Sequence, residues 1–309
     1  MLKKFLSAVN KNASGGKTRY GNSNMIDTAI AVDCSPKVVG LLAGLLGKEV
    51  HLSNESFENI CNLRSYKMII LEHGNTQNDT LQRIRNLRYA CYFRNIPIIL
   101  IKTQNNIGST EEYLTSGATE VLSIDDPPAA CQQILKGYLI PNREPLQEEM
   151  EYLNAFIKNT CAVLKTMASS EVVFSEVYFT NDFRIFGDIS GIIGLSGEAE
   201  GVLSITLYWP LAQTIIAKMM NVDEDKINAE LIHDGVAEIV NMISGSTKKD
   251  FAGTPYHFEI SLPSVVVGSG HQIGHAENTP IAVLIFEVHN QYFALQVCLD
   301  SKKEKKKMA

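Results

Sequence analysis

Five short runs rich in isoleucine and valine, spaced along residues 28–138 and separated by helical patterns, constrain this chain more than any other feature. Thr28–Asp33, Glu49–Leu52, Lys67–Glu72, Ile96–Lys102 and Thr119–Ser123 are each brief and followed by turn-forming residues, which predicts buried strands. Helices are expected over Pro36–Leu46, Glu55–Leu63, Asn78–Tyr92, Ser109–Ser116 and Pro127–Tyr138. Such alternation predicts a parallel, doubly wound α/β sheet whose site lies at the C-terminal ends of the strands. Asp33, Glu72 and Lys102 stand at those ends.

Two prolines in Ile140-Pro-Asn-Arg-Glu-Pro145 break the pattern and read as a linker. Beyond it a long amphipathic helix is expected over Glu148–Ala168, then strands interrupted by glycines over Val172–Leu207. Helices at Trp209–Met220 and about Lys226–Phe251 follow, then strands at His257–Val267, Ile281–Val288 and Tyr292–Leu299, an α+β pattern. The expected plan is a flexible basic segment 1–24, an α/β domain 25–139, a linker 140–147, an α+β domain 148–300 and a Lys-rich tail 301–309.

Charge narrows the choice of partners. The formal net charge is −6, but residues 1–24 hold five basic side chains and no acid, and residues 301–309 hold five lysines against Glu304. Residues 25–300 therefore carry 18 basic and 33 acidic side chains, about −15, which repels a phosphate backbone and argues against nucleic acid. The basic ends are taken as solvated. No apolar run approaches the ~20 residues that span a bilayer. The basic start lacks an apolar core segment and a cleavage site, so a cytoplasmic location is expected. The six cysteines are scattered without a Cys-x-x-Cys pair, which predicts reduced thiols, no disulfide framework and no zinc site.

The order of elements over about 28–138, with acids ending the first and third strands in Ala31-Val-Asp-Cys34 and Ile69-Ile-Leu-Glu72, resembles a response-regulator receiver domain, which implies a flavodoxin-like five-stranded sheet. The chain departs from a phosphorylatable receiver at nearly every functional position. Cys34 replaces the second acid of the first strand, Glu72 the phosphoacceptor Asp, Lys102 the Thr or Ser after the fourth strand, and Ile124 the Lys after the fifth. Oxygen ligands for Mg²⁺ are depleted, and the cation that neutralises phosphoryl oxygens is lost. The resemblance thus implies a pseudo-receiver with a degenerate site at Asp33, Glu72 and Lys102. Two readings stay open: the acids are polar strand ends held by a helix N-terminus or by Lys102, or Glu72 mimics a phosphorylated state.

On the expected helix 226–251, a wheel with Glu238 at zero places Leu231, Ile232, Gly235, Val236, Ile239, Val240, Met242, Ile243 and Ser246 on the core-facing arc. His233, Asp234, Ala237, Glu238, Asn241, Ser244, Gly245 and Lys248 fall on the opposite arc. Glu238 and Asn241, at i and i+3, project together among small residues. By pattern alone this is either a solvated face or one that another protein can approach closely.

The surrounding sequence is more specific. Gly201-Val-Leu-Ser-Ile-Thr-Leu, Trp209-Pro-Leu-Ala-Gln, Asp234-Gly-Val-Ala-Glu-Ile-Val-Asn-Met-Ile-Ser-Gly245 and Ser261-Leu-Pro-Ser-Val-Val-Val-Gly268 resemble the CheX branch of the CheC/CheX family of chemotaxis phosphatases. The resemblance spans roughly 148–299 and rests on Glu238-x-x-Asn241 followed by Met-Ile-x-Gly245. It implies a phosphatase acting on the aspartyl phosphate of a separate CheY-like response regulator, with Glu238 and Asn241 catalytic. It also implies Mg²⁺ on the partner receiver, no cofactor or metal bound by this chain, and a homodimer. Asp234, one turn earlier, is read as a helper at the interface rim or as plainly solvated, and is left out of catalysis. The alternative is a non-catalytic adaptor that binds phosphorylated regulators through the CheX-like half, with the pseudo-receiver as an interaction module.

Other constellations fail. His233, His257, His271, His275 and His289 lack the spacing of a zinc protease, and Ser196 in Leu195-Ser-Gly197 does not complete the Gly-x-Ser-x-Gly of a nucleophile elbow, since Glu198 stands where the second glycine is needed. Gly15-Gly-Lys-Thr18 lacks the first glycine and the preceding strand of a phosphate-binding loop.

Overall fold

The computed structural model describes residues 27–60, 63–103, 108–140, 145–181, 184–268, 271, 273 and 280–301. The basic segment 1–24, residues 141–144 of the linker, Cys61, His275 and all but the first residue of the Lys-rich tail lie outside the described residues. The chain divides into two compact units, Met1–Pro141 and Asn142–Ala309. Among the described residues no helix is long and apolar enough to cross a membrane.

The first unit runs β1 (Asp27–Val32), α1 (Pro36–Leu46), β2 (Val50–Glu55), β3 (Met68–Glu72), α2 (Gln77–Ala90), β4 (Ile98–Lys102), α3 (Thr110–Thr115), β5 (Glu120–Ser123) and α4 (Pro128–Leu139). All strands are parallel in the order β2-β1-β3-β4-β5, the flavodoxin-like arrangement, whose crevice opens where β1 and β3 lie side by side. The apolar runs are unbroken because both faces are covered. Ile30, Val32, Ile69 and Leu71 pack towards Ile84, Leu87 and Tyr113, while Ala31, Ile70, Ile99 and Ile101 pack towards Val38, Leu42 and Leu135. One expected element is corrected: the described residues of Glu55–Leu63 form no α-helix. β2 continues through Glu55, a turn follows at 57–59, and a single 3-10 turn covers Leu63–Ser65. Register with β1 holds Asn54 and Glu55 extended opposite Ala31 and Val32, so sheet pairing overrides the local helical pattern.

The second unit runs α5 (Gln147–Ala168), β6 (Val173–Thr180), β7 (Ile189–Gly197), β8 (Ala199–Leu207), α6 (Trp209–Met220), α7 (Ala229–Asp250), β9 (Phe258–Ile260), β10 (Ser264–Val267), β11 (Ile281–Val288) and β12 (Gln291–Ser301). Its antiparallel sheet has the order β10-β7-β8-β12-β11-β6, with β9 also paired to β7. Phe156 and Leu164 of α5, Leu211 and Ile215 of α6, and Val236, Val240 and Ile243 of α7 share one core with Ile193, Leu203, Ile205, Leu284 and Leu295 of the sheet. The expected single strand His257–Val267 is two strands, because Ser261-Leu262-Pro263 interrupts it while both pieces stay on β7.

Candidate functional site

The C-terminal site is built on α7. Asn228 caps the helix by accepting from the Leu231 amide at 2.9 Å, and Lys248 and Lys249 lie in its last turn, where cations suit the helix dipole. Its buried side is Ile232, Val236, Ile239, Val240, Ile243, Ser244 and Thr247. That stripe lies about 60° round from the core arc expected from the wheel. Ser244, expected on the solvated arc, is fully buried, and its hydroxyl donates to the Val240 carbonyl at 2.7 Å and the Asn241 carbonyl at 3.0 Å. Leu231, Gly235, Met242 and Ser246, expected in the core, are only partly buried. The physical reason is that small hydroxyl side chains bonded back to their own helix bury at little cost and allow close packing.

Glu238 stands opposite the middle of this buried stripe and is exposed; Asn241, one turn on, is half-buried. Among the described residues neither side chain makes a hydrogen bond or ion pair within the chain, and Asp234 is likewise exposed and uncommitted. The helix beneath them is held at close range. A Cβ on Gly191 of β7 would lie 2.9 Å from the Val236 carbonyl oxygen and 3.1 Å from Val240 Cγ1, so only glycine lets α7 settle there. On α7 itself, a Cβ on Gly235 would lie 2.2 Å from Ile216 Cδ1 of α6. A free carboxylate and a free carboxamide, on a backbone fixed from below, can contact a second molecule without first breaking internal bonds.

In the first unit Asp33 follows β1 and Glu72 ends β3, so the two acids flank the crevice at the switch point; Lys102 ends the next strand. Each acid has a partner. Glu72 accepts from the Ser35 amide and, at 3.2 Å, from the Ser35 hydroxyl, which in turn caps α1 by accepting from Val38. A carboxylate at a helix N-terminus is stabilised by the unpaired amides there. Asp33, at φ 47°, accepts from the Phe57 amide at 3.1 Å and forms an ion pair with Arg83 of α2. Arg83 also lies 5.4 Å above the Phe57 ring, and burial lowers its pKa from the usual arginine value. Of the two holders expected for the acids, the helix N-terminus serves Glu72, whereas among the described residues Lys102 bonds neither acid. Arg83 went unnoticed in the sequence; its only signal was a place on the helix after the third strand, near the strand ends.

Cys34, beside them, turns inward. Its thiol contacts the Val32 carbonyl at 3.6 Å and the Ile70 carbonyl at 3.8 Å, and burial, with Glu72 nearby, pushes its pKa up to about 12. The other described cysteines likewise form no disulfide. Among the described residues no three His, Cys, Asp or Glu side chains gather as a metal ion would need.

Residues 189–287, which include all of α7, match the family described as CheX, chemotaxis phosphatase CheX. Among solved structures, the chain is similar to the chemotaxis protein CheX from Vibrio vulnificus, at 33% identity over 48% of this chain and 99% of that one, with a TM-score of 0.44. It is also similar to a CheX from Desulfovibrio desulfuricans, at 28% identity over 48% and 99%, with a TM-score of 0.45. A CheC-like protein of Shewanella oneidensis MR-1 is 33% identical over 48% and 97%, with a TM-score of 0.43. A search of curated proteins finds no match. Through its C-terminal domain the chain belongs to the CheX family of chemotaxis phosphatases.

Proposed function

We propose that the C-terminal domain hydrolyses the aspartyl phosphate of a separate CheY-like response regulator, using Asn241 and Glu238. The observation that carries this reading is the pairing of those two uncommitted polar groups, one turn apart, on the exposed side of a rigidly seated helix. An acyl phosphate already reacts with water, so a protein accelerates its loss chiefly by positioning. The Asn241 carboxamide, which can donate and accept, holds the attacking water in line with the phosphorus. The Glu238 carboxylate pairs with a lysine beside the partner's phosphoryl group and fixes the docking register. Mg²⁺ belongs to the phosphorylated partner in this reading, and no covalent intermediate forms on this chain.

The N-terminal domain is, in the same reading, a receiver-like module that takes no phosphoryl group. Glu72 at the acceptor position is tied to the α1 N-terminus and Asp33 to Arg83, which supports a site already filled by its own side chains. Incubating the full-length protein with a set of phosphorylated receiver domains and following phosphate release tests the proposal. Faster release from at least one receiver supports it. Binding without faster release assigns the chain to a non-catalytic adaptor instead.

A further inference from the structure

We infer that Leu262, at a bulge in the strand edge beside α7, is the apolar anchor on which a phosphorylated receiver docks. This rests on the phosphatase reading and assigns the surface that holds its substrate.

The bulge follows from the register. Ile260 lies opposite Leu195 and Ser264 opposite Ile192, so the edge strand advances four residues while β7 advances three. The extra residue falls in Ser261-Leu262-Pro263. Ser261 fixes this turn: its amide donates to the Gly194 carbonyl at 3.0 Å, and its hydroxyl accepts from the Gly194 amide at 2.9 Å. The hydroxyl also donates to the Leu262 carbonyl at 2.9 Å, and Pro263 restricts the backbone that follows. Leu262 is left 88% exposed, the most exposed large apolar side chain among the described residues. A bulge inserts a residue so as to re-aim a side chain, and here it aims a leucine into solvent from a held backbone.

Its position relative to the catalytic pair follows from two fixed contacts. Gly191 packs under Val236 and Val240, and Glu259, opposite Ser196, pairs with Lys248. The bulge lies opposite Ile193, two strand residues beyond Gly191. That is about 6.6 Å, equivalent to about four helical residues, which brings the bulge level with residues 241–243. Lys248 lies two turns beyond Asn241 on nearly the same stripe of α7 and reaches the edge strand, so the Asn241 stripe is the one turned towards that edge. Leu262 therefore flanks Asn241 on the strand side. A charged pair sets register and approach rate, whereas burying an exposed leucine adds affinity through the apolar area it removes from water. The surface complementary to Leu262 is an apolar depression next to the partner's phosphorylation site.

The experiment titrates a phosphorylated CheY-like receiver against full-length wild type, Leu262→Ser, Leu262→Met and Asn241→Ala, with thermal melts to confirm unchanged folding. Leu262→Ser should raise KM about tenfold or more at unaltered kcat, Leu262→Met should stay near wild type, and Asn241→Ala should lose kcat. Equal KM for Leu262→Ser and wild type, while Asn241→Ala loses activity, overturns the anchor and leaves the phosphatase reading intact. If wild type does not turn over, binding to the beryllofluoride-activated receiver decides: weaker binding by Leu262→Ser supports the anchor, whereas equal binding, or none by wild type, overturns it.

Discussion

Arg83 of α2 reaches across to Asp33 at the end of β1, forms an ion pair with it and lies over the Phe57 ring, whose own amide donates to the same carboxylate. Two acids at a switch-point crevice invite a cation, and here a guanidinium belonging to the chain takes that role at Asp33. Glu72 is neutralised separately by the amide end of α1. The crevice thus reads as self-contained, with each negative charge answered from within.

Acetyl phosphate is accordingly expected to leave residues 27–140 unlabelled under conditions that label a competent receiver fully, as read by intact and peptide mass spectrometry. Phosphoryl transfer to Glu72 or Asp33 would contradict the account. Arg83→Ala should also destabilise the N-terminal domain by about 1–3 kcal/mol, because it strands a partly buried carboxylate. Chemical denaturation checks this, and an unchanged midpoint would show the pair to be incidental.

The buried Cys34 thiol gives a pH signature. Its folded pKa, about 12, lies above the 9.0 of a free thiol, mainly through burial and secondly through Glu72. The resulting stability is fully present below pH 9 and is lost as pH rises from 9 towards 12. Iodoacetamide at pH 8 should leave Cys34 unmodified in the native protein and modify it on unfolding. Cys34→Ala should flatten the alkaline loss of stability; rapid native alkylation would place the thiol elsewhere.

Gly191→Ala should weaken the domain and its activity together. The new methyl meets the Val236 backbone oxygen at 2.9 Å, so α7 must lift from β7, with a cost of about 1–3 kcal/mol. Phosphate release should fall, although Gly191 is remote from solvent contact with any partner. Lost stability at full activity would mean that the seating of α7 does not tune the site.

Much of this was legible beforehand because the signals were local. Parallel strands buried on both faces read as uniform apolar runs, and the βα alternation carried the sheet topology. The Glu-x-x-Asn pair was legible because three residues suffice to bring two side chains together on a helix. What escaped depended on contacts distant in sequence. Residues 55–60 carry a helical pattern, yet pairing with β1 extends β2 through Glu55. The buried stripe of α7 is turned towards Ser244 and Thr247, whose polarity hides that hydroxyls can be satisfied by their own helix. Arg83 and Asp33 are separated by 50 residues, and no spacing rule joins them. Leu262 looked like one more apolar residue of a strand, and only the register of both pieces on β7 reveals the bulge.

The central claim is tested most directly by single-turnover hydrolysis of a phosphorylated regulator held at saturation by wild type, Asn241→Ala or Glu238→Ala. Both side chains lie on the unburied side of α7, so either change should alter stability by less than about 0.5 kcal/mol. Asn241→Ala should slow hydrolysis of bound regulator by about 100-fold or more with affinity retained. Glu238→Ala should weaken binding as well as slow turnover. Hydrolysis by Asn241→Ala at the wild-type rate would contradict the mechanism and leave this helix face as a binding surface alone.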